Sequence, residues 1–172
     1  MTFKIVKNDI TKMETEAIVN PTNEDLQMGW GVSGAIFSVA GIDDLQEECN
    51  SLGKCPIGKA VITDGYKLPA KHIIHTVGPV WTGGNNNEEN FLYSAYMSSL
   101  KLALKNEIKS ISFPLISSGT YGYPIEKAIE VAARAIEDFL SEHEMEVYLV
   151  LFGIDLGVLS KDLSSKIMKY IH

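Results

Sequence analysis

Long apolar runs are missing from this chain, and none approaches the roughly 20 residues that a membrane span needs. Basic residues are in the minority, 15 Lys and Arg against 22 Asp and Glu, for a formal charge of −7. That balance excludes a binder of duplex nucleic acid, which relies on clustered Lys and Arg to displace counterions. It disfavours a basic groove for single strands as well. An anionic ligand stays compatible, provided backbone N–H groups and helix N-termini hold it. Cysteine is scarce: Cys49 and Cys55 are the two. A secreted scaffold of this size would carry more. His72, His75, His143 and His172 do not cluster with them as a structural zinc site would. Two reduced, structural thiols and no metal are the expectation. The start, Met1-Thr2-Phe3-Lys4, lacks a basic-then-apolar leader, so the expected compartment is the cytoplasm. There is no repeat, low-complexity tract or interdomain linker. At 172 residues the chain is expected to form one domain over 1–172, and to be a monomer.

What is present is an alternation of β-rich runs and helical patterns. Phe3 to Lys7 alternates at period two, and Ala17 to Asn20 is a short apolar strand stopped by Pro21. Val32 to Ala40 reads as a helix, and so does Asp43 to Leu52, with acidic residues in its first turn. Ala60 to Thr63 and His72 to Val77 are β-branched runs. Glu88 to Lys105 follows the Gly83-Gly84-Asn85-Asn86-Asn87 loop as a helix, and Ser110 to Phe113 is a strand. Ile125, Ala128, Ile129, Ala132, Ala133, Ile136 and Leu140 trace one helical face. Val147 to Phe152 is a continuous apolar run, as in a strand covered on both faces. A last helix is expected to end near Ile171. The fold class that follows is α/β, a parallel or mixed sheet with helices on both faces. Ligands of such sheets sit beyond the carboxyl ends of the strands, which directs attention to the loops after Val19 and Phe113.

The first loop carries Asn20, Asn23 and the turn Gly29-Trp30-Gly31-Val32-Ser33-Gly34 before a helix. Glycine lets a backbone approach a ligand closely, and a helix N-terminus presents free N–H groups to an anion. Asn amides both donate and accept, as sugar hydroxyls require. There is no Gly-Lys-Ser/Thr, so a P-loop is excluded. The second loop, Pro114 to Pro124, contains Ser117-Ser118-Gly119-Thr120-Tyr121-Gly122 and is again strand, small polar turn, helix. Two such loops on one sheet suit the two phosphates of a diphosphate.

These motifs resemble the macrodomain family over nearly the whole chain. Asn8-Asp9-Ile10-Thr11 resembles the family's Gly-Asp-Ile-Thr, and Val19-Asn20-Pro21-Thr22-Asn23 resembles Val-Asn-Ala-Ala-Asn. Gly29 to Ile36 resembles Gly-Gly-Gly-Val-Asp-Gly-Ala-Ile. His75 to Trp81 and Ile116 to Pro124 match almost letter for letter. The resemblance implies a three-layer macrodomain fold and ADP-ribose, free or attached to a protein, as the ligand. Asp9 would accept from the adenine amino group, with the Ile10 N–H nearby and Phe152 beside the ring. The bland alternatives are a turn cap for Asp9 and core packing for Phe152. Asn23, Gly29, Trp30, Gly31 and Val32 would meet the distal ribose and diphosphate. Ser118, Gly119, Thr120, Tyr121 and Gly122 would offer N–H groups to the phosphates. Asn20 and His75 read as structural, and Tyr93 and Tyr96 as packing. No metal or cofactor is needed.

The chain departs from the hydrolytic pattern where Ser33 replaces an aspartate, Phe37 a histidine and Trp30 a glycine. A serine hydroxyl orients water but is a poor base at neutral pH. Members that keep the distal asparagine without the aspartate resemble active enzymes in which the substrate's own phosphate positions the water. Two readings therefore stand. One is a hydrolase that removes mono-ADP-ribose from protein side chains or deacetylates O-acetyl-ADP-ribose, with Asn23 and Ser33 at the reacting end. The other is a reader of ADP-ribose without turnover.

Overall fold

The structure, a computed structural model, describes residues 2–172. Its strands are β1 (Thr2–Lys7), β2 (Ala17–Pro21), β3 (Ala60–Asp64), β4 (His72–Thr76), β5 (Ser110–Phe113) and β6 (Glu146–Leu151). Its helices are α1 (Val32–Ala40), α2 (Ile42–Leu52), α3 (Glu88–Lys105), α4 (Ile125–Leu140) and α5 (Lys161–Ile167). The six strands form one sheet in the order β1-β6-β5-β2-β4-β3. All pairs are parallel except β3 with β4, which makes the sheet mixed.

Side-chain alternation along the strands divides the core into two layers. Ala17, Val19 and Ile74 pack on one face with buried residues of α3, α4 and α5 such as Leu92, Leu100, Ile129, Ile136 and Leu163. Ile18 and Ile73 point the other way, against Ile36, Phe37 and Leu45 of α1 and α2. Phe37 is fully buried there. This is the α/β sandwich of helix, sheet and helix that the sequence pattern leads one to expect. No described helix is long and apolar enough to cross a membrane.

Two boundaries differ from expectation. The last apolar strand stops at Leu151, and Phe152 lies just beyond it, because Gly153 at φ 70° turns the chain there. The final helix is also shorter: α5 ends at Ile167, a 3-10 turn covers Met168–Tyr170, and Ile171 bridges to Ile5. The His172 N–H then donates to the Ile5 carbonyl at 3.0 Å, so the tail covers the edge of β1.

β2 and β5 are paired over only Ala17–Ile111 and Ile18–Ser112. Beyond that point the two parallel strands separate, and the loops after each leave on either side of the gap. Such a crevice beyond the carboxyl ends is where open parallel sheets place their ligands.

Candidate functional site

The carboxyl edge of the sheet presents, in spatial order, the turn after β1, the segment after β6, the loop after β5 and the loop after β2. Three inter-strand steps separate the first from the last, about 14 Å, so the edge suits an elongated ligand.

At the β1 end, Asp9 caps a 3-10 turn over Ile10–Lys12. Its Oδ1 accepts from the Thr11 N–H at 2.9 Å and from the Thr11 hydroxyl at 2.7 Å. Oδ2 has no hydrogen-bond partner among the described residues, and neither has the Ile10 N–H. The cap role and a free acceptor therefore coexist. Asn8 uses its Oδ1 to accept from the Asp9 N–H at 2.8 Å. A cleft of about 570 Å3 opens here, bordered by Asn8, Asp9, Lys12, Phe152, Gly153 and Asp155. Phe152 is 75% exposed, which removes the core-packing alternative.

The loop after β5 is folded on itself. The Tyr123 N–H donates to the Ser117 carbonyl and the Gly122 N–H to the Gly119 carbonyl, both at 2.9 Å. The Ser118 N–H reaches the Leu115 carbonyl at 3.4 Å. Of the five residues expected to offer N–H groups, Ser118 and Gly122 direct theirs inside the turn, because the turn closes through them. The N–H groups of Gly119, Thr120 and Tyr121 have no acceptor among the described residues. A Cβ added at Gly119 would meet nothing within 4 Å.

The loop after β2 is tied by side chains. The Asn23 amide donates to the Gln27 carbonyl at 3.0 Å and accepts from the Gln27 N–H at 3.1 Å. Each end of that amide keeps further capacity, one N–H and one lone pair. Gln46 of α2 accepts from the Met28 N–H and donates to the Leu26 carbonyl, both at 3.0 Å. Ser33 is buried, and its Oγ accepts from the Gly29 N–H at 3.2 Å. Gly34 has to be glycine for packing: a Cβ would lie 2.9 Å from the Gly29 carbonyl oxygen. Gly31 adopts φ 64° as α1 begins. The N–H groups of Val32, Ser33 and Gly34, in the first turn of α1, have no acceptor among the described residues. Trp30 is 93% exposed. Neither loop contains Lys or Arg.

Beneath this loop, the Asn20 Nδ2 donates to His75 Nδ1 at 3.0 Å. His75 Nε2 lies 2.8 Å from the Thr63 hydroxyl, so both ring nitrogens have a polar partner inside the core. Burial pushes the His75 imidazole down to about 3, so it is neutral. It is a core histidine, without access to a ligand. Burial likewise raises the thiols of Cys49 and Cys55 to about 11, and both are free.

Comparison with known proteins decides what this arrangement belongs to. A family model described as Macro domain matches residues 19–132. The chain belongs to the Macro domain family. A macro domain-containing protein of Methanosarcina mazei is 48% identical over 96% of this chain and 89% of its own length. An O-acetyl-ADP-ribose deacetylase of Escherichia fergusonii is 45% identical, over 86% of each chain. The macrodomain of Oceanobacillus iheyensis, as a mutant with ADPR, superposes with a TM-score of 0.86 at 37% identity, covering 96% of this chain and 91% of that one.

In this macrodomain, sequence reasoning missed three groups that shape the site. Gln46 holds the loop after β2 from α2. Tyr96 is fully buried, with its hydroxyl against the loop after β5. Glu88 accepts from the N–H groups of Thr82, Gly84 and Asn86 and organises the loop before α3. The Thr82 amide, aided by those of Gly84 and Asn86, holds its carboxyl at about 2. The legible signal for Tyr96 was a phenol on an apolar helix face, since a buried hydroxyl needs partners.

Proposed function

We propose that this macrodomain binds ADP-ribose along the carboxyl edge of its sheet and hydrolyses an ester or glycosidic bond at the distal ribose. The observation that carries the reading is the two runs of free N–H groups flanking the β2/β5 crevice, Gly119–Tyr121 and Val32–Gly34. Neither loop has a Lys or Arg. A diphosphate seated there is held by backbone dipoles, as at other helix-start and turn sites.

Asp9 Oδ2 and the Ile10 N–H offer an acceptor beside a donor. Adenine presents a donating amino group beside an accepting ring nitrogen, whereas guanine presents the reverse. The reading therefore includes selection of adenine over guanine, with Phe152 against the ring face. At the opposite end, Asn23 retains one N–H and one lone pair for the ribose hydroxyls. Ser33 places a hydroxyl under the glycine turn but no base. In this scheme the bound diphosphate orients the attacking water, and fixed geometry supplies much of the rate. The names of relatives at about 45% identity support the ester substrate: for O-acetyl-ADP-ribose, water adds at the acetyl carbonyl and the C–O bond breaks to give acetate and ADP-ribose. Removal of mono-ADP-ribose from protein side chains is the same site acting at the anomeric carbon.

A reader without turnover is the second reading. It is favoured by the tie between Ser33 Oγ and the Gly29 N–H and by the absence of a carboxylate at position 33. Calorimetric titration with ADP-ribose, followed in the same sample by O-acetyl-ADP-ribose and a mono-ADP-ribosylated protein, separates the two. Binding with release of acetate or ADP-ribose supports the hydrolase. Binding without release supports the reader, and no binding overturns both.

A further inference from the structure

Tyr96 lies on α3, outside both loops, and its ring packs against Phe113 at the end of β5 with centroids 5.1 Å apart. Its side chain is completely buried. The hydroxyl donates to the Pro114 carbonyl at 3.1 Å and accepts from the Ile116 N–H at 3.0 Å. One oxygen thus closes both backbone groups at the point where the chain leaves the sheet. The next residue, Ser117, is at φ 66°, a left-handed conformation unusual outside glycine, and it aims the following turn. On the far side of that turn the Trp81 N–H holds the Tyr121 carbonyl at 2.8 Å.

We infer that Tyr96 is a positioning residue for the anion loop: its hydroxyl fixes the root of the turn so that the N–H groups of Gly119, Thr120 and Tyr121 stand free and convergent before any ligand arrives. The inference rests on reading that turn as the diphosphate site. Without the hydroxyl, the Ile116 N–H and Pro114 carbonyl lose their partner in a buried place, and the chain must shift to recover one. A shift of a few tenths of an ångström misaligns a pre-organised cradle of donors, while the turn at Asp9 is untouched.

Tyr96→Phe removes one oxygen and keeps the ring packing. Calorimetry on wild type and variant is run with ADP-ribose and with adenosine, which lacks phosphates. The expected result is an ADP-ribose affinity about tenfold weaker in the variant, with adenosine within about twofold. In ¹H–¹⁵N spectra of the free variant, the amides of Gly119, Thr120 and Tyr121 move while that of Ile10 does not. An unchanged ADP-ribose affinity, or an equal loss for adenosine, overturns the inference. A second measurement stands apart from the variant's folding. In the wild-type chain the Ile116 amide exchanges with solvent only through global opening, with or without ADP-ribose. Fast local exchange that ADP-ribose suppresses contradicts the inference, because the ligand would then be shaping the loop. Failure of wild type to bind ADP-ribose would remove the functional reading, yet the exchange result still decides whether Tyr96 fixes the turn.

Discussion

The loops after β2 and β5 leave neighbouring strands at the same edge, and both run from strand through a small polar turn into a helix, yet they are held by different means. The loop after β5 is closed by its own backbone and by the Tyr96 hydroxyl from below, leaving three consecutive N–H groups free. The loop after β2 is closed by side chains that lie within the candidate reacting end: Asn23 to Gln27, Ser33 to Gly29, and Gln46 from α2. A backbone cradle is insensitive to most side-chain changes and reads as a binding surface. A loop held by the groups assigned to chemistry couples that chemistry to loop shape. Anion binding is therefore expected to respond to changes that cover or shift the free N–H groups, and turnover to changes in the side chains that tie the loop after β2.

The largest effect is expected from Gly119→Val in the loop after β5. Its Cβ meets open space, so the fold is retained, but the branched side chain covers the free N–H groups. ADP-ribose affinity should fall by about 100-fold with little change in melting temperature. Undiminished affinity would place the phosphates elsewhere. Gly34→Ala tests the other loop, since its Cβ must push the Gly29 carbonyl away. Chemical denaturation should show a loss of about 1–3 kcal/mol, with weakened binding at the distal end. A neutral outcome would mean the glycine turn is free to move.

An effect of about tenfold is expected from Asn23→Ala on turnover, with a smaller effect on ADP-ribose affinity. Equal losses in both would sink a specific role for Asn23 and leave only its tie to Gln27. Of comparable size is the acid response of the network under this loop. His75 is neutral in the folded chain, with its pKa pushed down to about 3, while the unfolded chain takes up the proton near 6.5. The contribution is complete above about pH 6.5 and is lost as pH falls toward 3, at about 1.4 kcal/mol per pH unit. Unfolding free energies at pH 7, 6 and 5 should fall more steeply for wild type than for His75→Gln, and parallel slopes would contradict the assignment. The smallest effect is that of salt. With backbone N–H groups as the donors and no cation in either loop, ADP-ribose affinity should change by less than about threefold between 50 mM and 500 mM salt. A steep decline would reveal a cationic contribution that neither loop contains.

Much of the fold could be read from local signals. α1, α3, α4 and β5 fall where glycine, asparagine and proline punctuate periodic runs, and local chemistry settles such boundaries. The Phe152 boundary was missed because an apolar residue after an apolar strand looks like more strand, until Gly153 turns the chain. The two loops were legible as glycine-rich turns and, through the family resemblance, as a ligand site. Which N–H groups stay free was not. That depends on turn closure, which sets Ser118 and Gly122 apart from Gly119 between them. Nor were the partners from other elements, since Gln46 lies 18 residues from Met28 and Tyr96 lies 20 from Ile116. Sequence spacing carries no record of such meetings.

The most direct test of the central claim is a ¹H–¹⁵N titration of the chain with ADP-ribose. Saturable downfield shifts are expected for the amides of Gly119, Thr120 and Tyr121 and for those of Val32, Ser33 and Gly34 at the start of α1. Saturable binding that leaves these six amides unmoved, or no binding, would contradict that claim.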